Sequence, residues 1–325
     1  MSKKNKIFIT GGAGYIGSAV VRHLLVKDFE VFVLDNLSQG SDGVSCFLGY
    51  PNYHFIKGDI NDMKLIDEII KKVDFVVHLA AIVGEGACKK DPKETKNTNI
   101  EGTKKIIDFS LKHKIQKLIF FSTCSSYGVQ DTSIMANEET PLNPVSLYAE
   151  SKISMENFIR KNYDPNLSYT ILRPSTVHGP SPRMRFDLIV NHFVKDAVLN
   201  RKLEIFGADL WRPLMWVGEV GVIVERIIQS ENKIIKNQIF NLGNTNANKK
   251  KKDIAEIIKN QFIPELDIKY HGQDQDLRSY RVDFSKIEKN LNFKLQKPLE
   301  QAIEELVFSV KNNLFKDPNN SKYKN

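Results

Sequence analysis

The stretch GGAGYIG at residues 11–17 decides the fold that the sequence predicts. It follows KIFIT at residues 6–10, a short β-branched and aromatic segment typical of a strand. After it, apolar residues recur at helical spacing through residues 15–26. The three segments predict a strand, a glycine-rich turn and a helix, in that order.

The glycines of this stretch suit a turn that carries a diphosphate. Gly11 lets the chain turn tightly, Gly14 lets the backbone approach the ligand, and Gly17 lets the helix pack close to the sheet. Tyr15 and Ile16 then lie at the helix N-terminus, where backbone N–H groups and the helix dipole attract an anion. The stretch therefore predicts a dinucleotide site.

An acidic residue after the second predicted strand indicates which dinucleotide is bound. Residues 30–34 are typical of a strand, and Asp35 follows them, 18 residues after Gly17. A carboxylate there can reach the ribose hydroxyls of a bound adenosine, and it repels a 2′-phosphate. Neither Arg nor Lys occurs from Asn36 to Gln39, so the sequence predicts NAD and not NADP.

Strand-like and helix-like segments keep alternating through the first half of the chain. This pattern predicts an α/β fold, a Rossmann-type doubly wound parallel sheet with a smaller C-terminal mixed α/β domain that binds substrate. We expect an NAD-binding domain at 1–176, to which segments at about 214–250 and 291–313 return, and a substrate domain at 177–313. Residues 314–325 form a polar tail that we expect to fray.

Composition and charge are those of an ordinary globular chain of 325 residues. No apolar run approaches the roughly 20 residues of a membrane helix, and residues 1–6 leave no room for a signal peptide, so we expect a cytoplasmic protein without a membrane partner. The net charge of +8 is spread along the chain, and the dense run at 249–252 lacks aromatic residues, which argues against nucleic acid. Cys46, Cys88 and Cys124 are odd in number and scattered, which argues against disulfides and a metal site.

Tyr148 and Lys152 are four residues apart, so a helix would place a phenol and an ammonium on one face. A neighbouring cation stabilises a phenolate and lowers the pKa of tyrosine from about 10. The same spacing also occurs in solvated surface pairs worth ~0.3 kcal/mol. The glycine stretch in the same domain favours the first interpretation, in which Tyr148 transfers a proton.

These residues and several further motifs resemble the extended short-chain dehydrogenase/reductases, the NAD-dependent nucleotide-sugar epimerase and dehydratase family, over nearly the whole chain. The further motifs are Asp59-Ile60, His78-Leu79-Ala80-Ala81, Asn99 with Gly102-Thr103, Ser122-Thr123 before Tyr127-Gly128, and Arg173-Pro174 before Gly179-Pro180. The resemblance implies that NAD is bound by Gly11, Gly14, Tyr15, Ile16, Gly17, Asp35, Asn36, Asp59, Ile60, Leu79, Ala80, Ala81, Asn99, Ser122, Tyr148 and Lys152.

The resemblance also implies roles for the catalytic candidates. Tyr148 would be the acid or base, Lys152 would hold the nicotinamide ribose and lower the pKa of the tyrosine, and Thr123 would hydrogen-bond the reacting hydroxyl. The implied reaction oxidises a sugar hydroxyl to a ketone while NAD takes the hydride. For His78 and Cys124 we expect buried structural roles.

Arginines in the second half of the chain suit a nucleotide-diphosphate sugar, because a planar guanidinium donates two hydrogen bonds at once. Arg212 and Arg278 match positions that clamp the diphosphate in the family. For Arg183 and Arg185 a diphosphate contact and a surface ion pair are both open. Asn191 resembles a substrate-loop asparagine, and its alternative is an ordinary polar surface position.

Departures from the family narrow the reaction. Family 4,6-dehydratases have Asp-Glu directly after the threonine, where this chain has Cys124 and Ser125, so elimination lacks its proton-transfer pair. A decarboxylase would have Glu at position 125, and an epimerase/reductase acting on keto sugars would have Cys there, so both are disfavoured. Thr176 replaces a common Asn, and His178 stands at a usually aromatic position from which it can face the sugar or the nicotinamide.

Redox chemistry at one sugar carbon remains, most simply C4, by a 4-dehydrogenase or 4-epimerase with tightly held NAD in surface-polysaccharide precursor synthesis. Overall similarity suggests closeness to bacterial capsule enzymes that oxidise C4 of a GDP-linked heptose, although no residue identifies the base or the sugar. The alternative is a catalytically silent NAD-sensing or RNA-binding relative, but such relatives usually lose the tyrosine or the lysine. We also expect a homodimer or higher homo-oligomer, because the family pairs subunits through helices such as 100–113 and 148–162.

Overall fold

The computed structural model describes residues 5–162, 164, 167–272 and 276–325. Residues 1–4, 163, 165–166 and 273–275, which the predicted domain boundaries include, lie outside the described residues. Within the described ranges, no helix is long and apolar enough to cross a membrane.

Seven parallel strands form the central sheet of the molecule. The twelve strands of the described chain are β1 (Lys6–Thr10), β2 (Glu30–Asp35), β3 (Tyr53–Lys57), β4 (Phe75–His78), β5 (Lys117–Phe121), β6 (Ser168–Pro174), β7 (Thr176–His178), β8 (Lys202–Phe206), β9 (Trp211–Trp216), β10 (Gln238–Leu242), β11 (Asn248–Lys250) and β12 (Asp267–His271). The central sheet has the order β10-β6-β5-β4-β1-β2-β3. Its strand order reverses between β1 and β4, and such switch points are where dinucleotides bind.

Helices connect these strands. They are α1 (Tyr15–Val26), α2 (Asp42–Ser45), α3 (Met63–Ile70), α4 (Glu85–Lys90), α5 (Pro92–Lys96), α6 (Thr103–Lys112), α7 (Leu147–Lys161), α8 (Ile189–Asn200), α9 (Gly218–Gln229), α10 (Asn232–Ile235), α11 (Lys251–Phe262), α12 (Ser285–Leu291) and α13 (Leu299–Lys311). A π-helical segment, Asn97–Gly102, precedes α6, and 3-10 turns occupy Cys124–Tyr127, Thr245–Ala247 and Ser321–Tyr323.

Alternate residues of the strands supply two apolar layers, one on each face of the sheet. On β1, Ile7 and Ile9 belong to one buried cluster, which continues into α1 and α9, whereas Phe8 belongs to the other, with residues of α3, α6 and α7. A sheet covered on both faces matches the buried parallel strands that the sequence predicts. The doubly wound Rossmann fold is therefore confirmed.

The second, smaller domain is a mixed α/β layer, as predicted. In its three-stranded sheet β7 and β9 run parallel and β11 runs antiparallel to β9, and a separate parallel pair joins β8 to β12. The strand β10 returns to the large sheet and pairs with β6. One expectation differs: α13, within the segment predicted to return to the first domain, packs against α8, α11 and β9, because Ile303 and Leu306 on its apolar face join the cluster of those elements.

The end of the chain is ordered against the second domain, and the prediction that it frays is wrong. Tyr323 is 6% exposed, and its ring meets Phe186 and Phe315 edge to face at 5.6 and 5.8 Å between centroids. The buried area of three aromatic rings offsets the entropy of ordering polar neighbours. Polar composition alone missed this contact because two aromatic residues provide it.

A buried ion pair joins α7 to the centre of the sheet. Arg173 of β6 donates from Nη2 and Nε to Glu156 of α7 at 2.6 and 3.0 Å. Ser122, directly after β5, donates from Oγ to the same carboxylate at 2.5 Å, and Arg173 also donates to the hydroxyl of Tyr127 at 3.1 Å. Arg173 on β6 and Ser122 just after β5 thus bond both oxygens of this carboxylate.

Replacing Arg173 with Met should lower the free energy of unfolding by about 3–5 kcal/mol, because it leaves Glu156 buried without its counter-charge. Urea denaturation followed by circular dichroism measures the loss. Arg160→Met, on the exposed face of the same helix, is the matched control and should stay within about 0.5 kcal/mol of the parent. Equal stability of the two variants would contradict the role given to the pair.

Candidate active site

Two neighbouring clefts lie at the carboxyl ends of the parallel strands. The glycine-loop cleft, about 440 Å³, is lined by the loop after β1 and by residues that follow β2, β4 and β5. The arginine cleft, about 600 Å³, lies between that edge of the sheet and the second domain. Tyr15, Ile16, Val83, Tyr148, Pro174, Arg185 and Asn325 line both clefts.

Close backbone contacts explain why the loop at residues 11–17 is rich in glycine. Gly11 has φ +71°, and a Cβ on it would lie 2.7 Å from the backbone nitrogen of Ala80. A Cβ on Gly17 would lie 2.1 Å from the carbonyl oxygen of Gly11. These contacts bring the start of α1 against the loop, and the N-cap residue of that helix, Gly14, has no side chain with which to cap its N–H groups.

Asp35 ends β2 beside this loop. Its Oδ2 accepts a hydrogen bond from the backbone N–H of Ala13 at 3.0 Å, and its Oδ1 accepts from that of Leu37 at 2.9 Å. Burial raises the pKa of the carboxyl, and these two hydrogen bonds offset that effect only in part. The loop thus holds the carboxylate in the wall of the cleft, where it can accept hydrogen bonds from a ribose.

The donor set of the glycine-loop cleft fits NAD, with an uncapped helix N-terminus for the diphosphate and a carboxylate for the ribose. The structure gathers nearly all the residues predicted to bind it, namely Gly11, Gly14, Tyr15, Ile16, Gly17, Asp35, Asn36, Asp59, Ile60, Leu79, Ala80, Ala81, Ser122, Tyr148 and Lys152. Asn99 differs: it is buried, and its side chain bonds both the N–H and the carbonyl of Ile82. It supports the wall of the cleft from behind.

Tyr148 lies at the junction of the two clefts, in the first turn of α7. Ser146 caps this helix by accepting a hydrogen bond from the backbone N–H of Ala149 at 3.3 Å, which fixes where the helix starts. Lys152, one turn later, lines only the glycine-loop cleft, and its Nζ lies 5.9 Å from the centroid of the Tyr148 ring. Thr123 lines only the arginine cleft.

Burial opposes charge on both members of the tyrosine–lysine pair. It raises the pKa of Tyr148 to about 12, an effect that the positive charges of Arg185 and Arg278 reduce only in part. It lowers the pKa of Lys152 to about 8. Lys152 is not among the charges that act on the tyrosine here, so the lowering of its pKa by Lys152 stays a prediction for the protein with NAD bound.

His78 and Cys124 have the structural roles that the sequence predicts. The ring of His78 is held between the hydroxyls of Thr10 and Thr103 at 2.6 and 2.9 Å, and burial lowers its pKa to about 3. The thiol of Cys124 donates to the carbonyl of Arg173 at 3.0 Å, and burial raises its pKa. Neither side chain lines a cleft, so neither is available for proton transfer to a ligand.

The structure brings Arg212 and Arg278 together in the wall of the arginine cleft. Both guanidinium groups bond the carboxylate of Asp276, from Arg212 Nη2 at 3.0 Å and from Arg278 Nη2 at 2.7 Å. Arg278 Nη1 also donates to the hydroxyl of Ser125 at 3.2 Å. The group carries a net positive charge and presents two planar donors to an anion.

The other residues predicted to bind substrate differ in whether they line a cleft. Arg185 lines both clefts and is held by a bidentate pair with Asp187 at 2.7 and 3.0 Å. Arg183 lines only the glycine-loop cleft, so the structure places it on the side predicted to bind NAD and not in the arginine cleft. Asn191 and His178 line neither cleft.

Asn191 and His178 are buried for identifiable reasons. The amide of Asn191 accepts from the N–H of Gly179 at 2.9 Å and donates to the hydroxyl of Tyr15 at 3.1 Å, so it ties the second domain to α1. His178 is 2% exposed, and burial lowers its pKa to about 3, so a neutral imidazole sits inside the protein. The predicted contacts of both side chains with a sugar are therefore corrected.

Several residues of the arginine cleft escaped the sequence prediction. They are Asp276, which orients both arginines, Ser125, the buried Tyr280, and Phe206 and Lys251 on the second domain. Asp276 had a usable signal, since it stands two residues before Arg278 in a loop. The others lie on separate elements that meet only in the folded chain.

Lys152→Met should stabilise the NAD-free protein at pH 7, by at most ~3 kcal/mol, because it removes an ammonium whose pKa burial lowers from 10.5 to about 8. Between pH 8 and pH 10 the unfolded lysine binds more protons than the folded one, so the parent gains stability as pH rises and the difference shrinks. Urea denaturation at several pH values measures it.

Lys161→Met, on the exposed end of the same helix, is the control and should show no such pH-dependent difference. A constant difference between Lys152→Met and the parent from pH 7 to pH 10 would contradict the burial argument.

Comparison with known proteins places this site in a family. Residues 7–243 match the family described as NAD dependent epimerase/dehydratase. The UDP-glucose 4-epimerase of Halalkalibacterium halodurans is 36% identical over 184 residues, 55% of this chain and 53% of that protein. The dTDP-D-glucose 4,6-dehydratase of Dictyostelium discoideum is 33% identical over 220 residues, 62% of this chain and 50% of that protein.

A solved structure extends the similarity over the whole molecule. The UDP-glucose 4-epimerase of Thermotoga maritima, crystallised with UDP-glucose, is 25% identical with a TM-score of 0.84, covering 95% of this chain and 100% of that one. These relatives are named for UDP- and dTDP-linked sugars, so closeness to GDP-heptose enzymes stays a prediction. The matched region includes the glycine loop, Tyr148 and Lys152, and the chain belongs to the NAD-dependent epimerase/dehydratase family.

Proposed function

We propose that this protein oxidises the C4 hydroxyl of a nucleotide-diphosphate sugar with NAD that it retains, as a 4-epimerase or a 4-dehydrogenase. The observation that carries the proposal is the position of Tyr148, which lines both the cleft that fits NAD and the cleft with the paired arginines. A proton acceptor at that junction can reach a sugar hydroxyl whose carbon faces a nicotinamide.

The chain's own residues would divide the work. Tyr148 takes the proton of the sugar hydroxyl, and Thr123, in the arginine cleft beside it, orients the oxygen. Lys152, on the cofactor side, holds the nicotinamide ribose. NAD, the cofactor of the family, supplies the hydride acceptor when it is bound.

The diphosphate of the substrate would bind Arg212 and Arg278. Both are already oriented by Asp276, so little side-chain entropy is lost when an anion arrives. Arg185, which lines both clefts with Tyr148, lowers the pKa of the tyrosine, although its own charge is paired with that of Asp187. Anchoring the diphosphate fixes the distance from there to the sugar carbon that reacts.

Inversion or simple oxidation is favoured over elimination. Cys124 and Ser125 stand where a dehydratase has its acidic pair, the thiol is bonded to a backbone carbonyl, and Ser125 is bonded to Arg278. Two relatives named as 4-epimerases, one of them similar over nearly the whole chain, support inversion at C4. A place in surface-polysaccharide precursor synthesis depends on which sugar is used.

Tyr148→Phe should lower turnover by about 10²–10⁴-fold, because it removes the proton acceptor and keeps the ring. NAD affinity, measured by calorimetry, should stay within about twofold of the parent, since the phenyl ring still lines the cleft. Tyr50→Phe, the same change at an exposed tyrosine that lines neither cleft, is the control for handling of the protein. Full turnover in Tyr148→Phe would remove Tyr148 from the mechanism.

The substrate is tested with a panel of UDP-, dTDP-, CDP- and GDP-sugars, including a GDP-heptose. We expect one of them to raise the absorbance of the reduced nicotinamide band, and mass spectrometry to detect a 4-keto sugar or its C4 epimer. A product lacking one water would instead identify a dehydratase. No spectral change and no product with any sugar would favour the catalytically silent relative.

A further inference from the structure

Arg183 is buried in the wall of the glycine-loop cleft and does not line the arginine cleft. Its side chain is 3% exposed, and its backbone N–H donates to the hydroxyl of Ser18, in the first turn of α1, at 3.4 Å. Its Nη2 donates to Oε1 of Gln39 at 2.8 Å, in the loop that follows Asp35. The guanidinium therefore lies between the start of α1 and the ribose side of the cleft.

This buried charge has no direct counter-charge. No carboxylate lies within 4.0 Å of Arg183 in the part of the chain that the structure describes, and its Nε has no hydrogen-bond partner there. Burial and the charge of Arg185 lower the pKa of this guanidinium, and Asp187, Asp42 and Asp35, which lie beyond 4.0 Å, offset that effect only in part. An anion that enters this cleft would supply the missing charge.

The C-terminal segment, residues 321–325, holds Arg183 from the other side. Nη2 of the arginine also donates to the backbone carbonyls of Lys324 at 3.1 Å and Lys322 at 3.4 Å. Between these two residues, Tyr323 is buried among aromatic rings. All three of these side-chain hydrogen bonds come from Nη2, whereas the buried Nε has no hydrogen-bond partner in the described chain.

The same segment also bonds two carboxylates outside the glycine-loop cleft. Lys322 Nζ bonds the carboxylate of Asp42, beyond the ribose loop, at 2.9 Å, and the N–H of Asn325 donates to Asp187 at 3.3 Å. Asn325 lines both clefts. The segment thus links α2, Arg183 in the wall of the glycine-loop cleft, and Asp187 of the second domain.

We propose that Arg183 binds the diphosphate of NAD and that residues 321–325 form a strap that positions this arginine and slows the release of the cofactor. The diphosphate is favoured over an adenosine 2′-phosphate because Asp35 lines the same cleft and repels that group. It is favoured over the substrate because Arg183 does not line the arginine cleft. The inference concerns the cofactor and does not depend on the C4 chemistry.

The test measures NAD binding to the full chain after its cofactor has been removed. We expect Arg183→Gln to raise the Kd for NAD at least tenfold by calorimetry, and deletion of residues 321–325 to speed NAD dissociation at least tenfold by competition. Combining the two changes should weaken binding little beyond Arg183→Gln alone, because both act through one guanidinium. Lys324→Ala is the control and should bind NAD like the parent, because only the backbone carbonyl of that residue is used.

Specific outcomes would overturn the proposal. Unchanged NAD affinity and release in Arg183→Gln would do so. If this variant instead bound UDP more weakly and NAD as the parent does, Arg183 would be a substrate-binding residue. A selective loss of NADP binding would assign it to a 2′-phosphate. If the deletion does not fold, Arg183→Gln in the intact chain decides, and keto-sugar formation at saturating NAD tests the C4 chemistry separately.

Discussion

The ion pair between Glu156 and Arg173 is the constraint on which the position of the candidate chemistry depends. Tyr148, Lys152 and Glu156 are spaced four residues apart on α7, so they form one stripe along the helix. Glu156 accepts hydrogen bonds from Arg173 of β6 and from Ser122, which directly follows β5. The tyrosine is therefore fixed relative to the strands whose ends form the cofactor cleft.

The same burial that fixes this stripe works against its charges. The protein alone keeps the phenol of Tyr148 neutral and makes the amine of Lys152 a weaker base, so function and stability are in conflict at these positions. Arg183 repeats the pattern, since burial lowers the pKa of a guanidinium that no carboxylate of the described chain contacts within 4.0 Å. Tyr148, Lys152 and Arg183 are thus in environments that disfavour their charged forms while no ligand is bound. The free energy of ligand binding can offset this cost to the stability of the apoprotein.

Features formed by residues close together in the sequence could be predicted, and contacts between residues far apart in the sequence could not. The glycine loop, Asp35 and the Tyr148–Lys152 spacing are local signals, and the structure gathers them in one cleft. Arg183 was misplaced because its partners, Gln39 and Lys324, are 144 and 141 residues away in the chain. Local polarity likewise gave no sign that Asn191 would be buried under Tyr15. Side chains that join two domains depend on a packing that no local pattern encodes.

The return of β10 to the large sheet has a consequence for how the protein is made. All seven residues of β6 are buried, yet the strand that covers its outer edge is synthesised more than 60 residues later. At ~5–20 residues per second, a ribosome leaves that edge unpaired for several seconds. Unpaired edges recruit other strands, so the nascent chain passes through a stage in which chaperones have a defined target. The Rossmann unit therefore cannot complete itself before part of the second domain, from β7 to β9, has been synthesised.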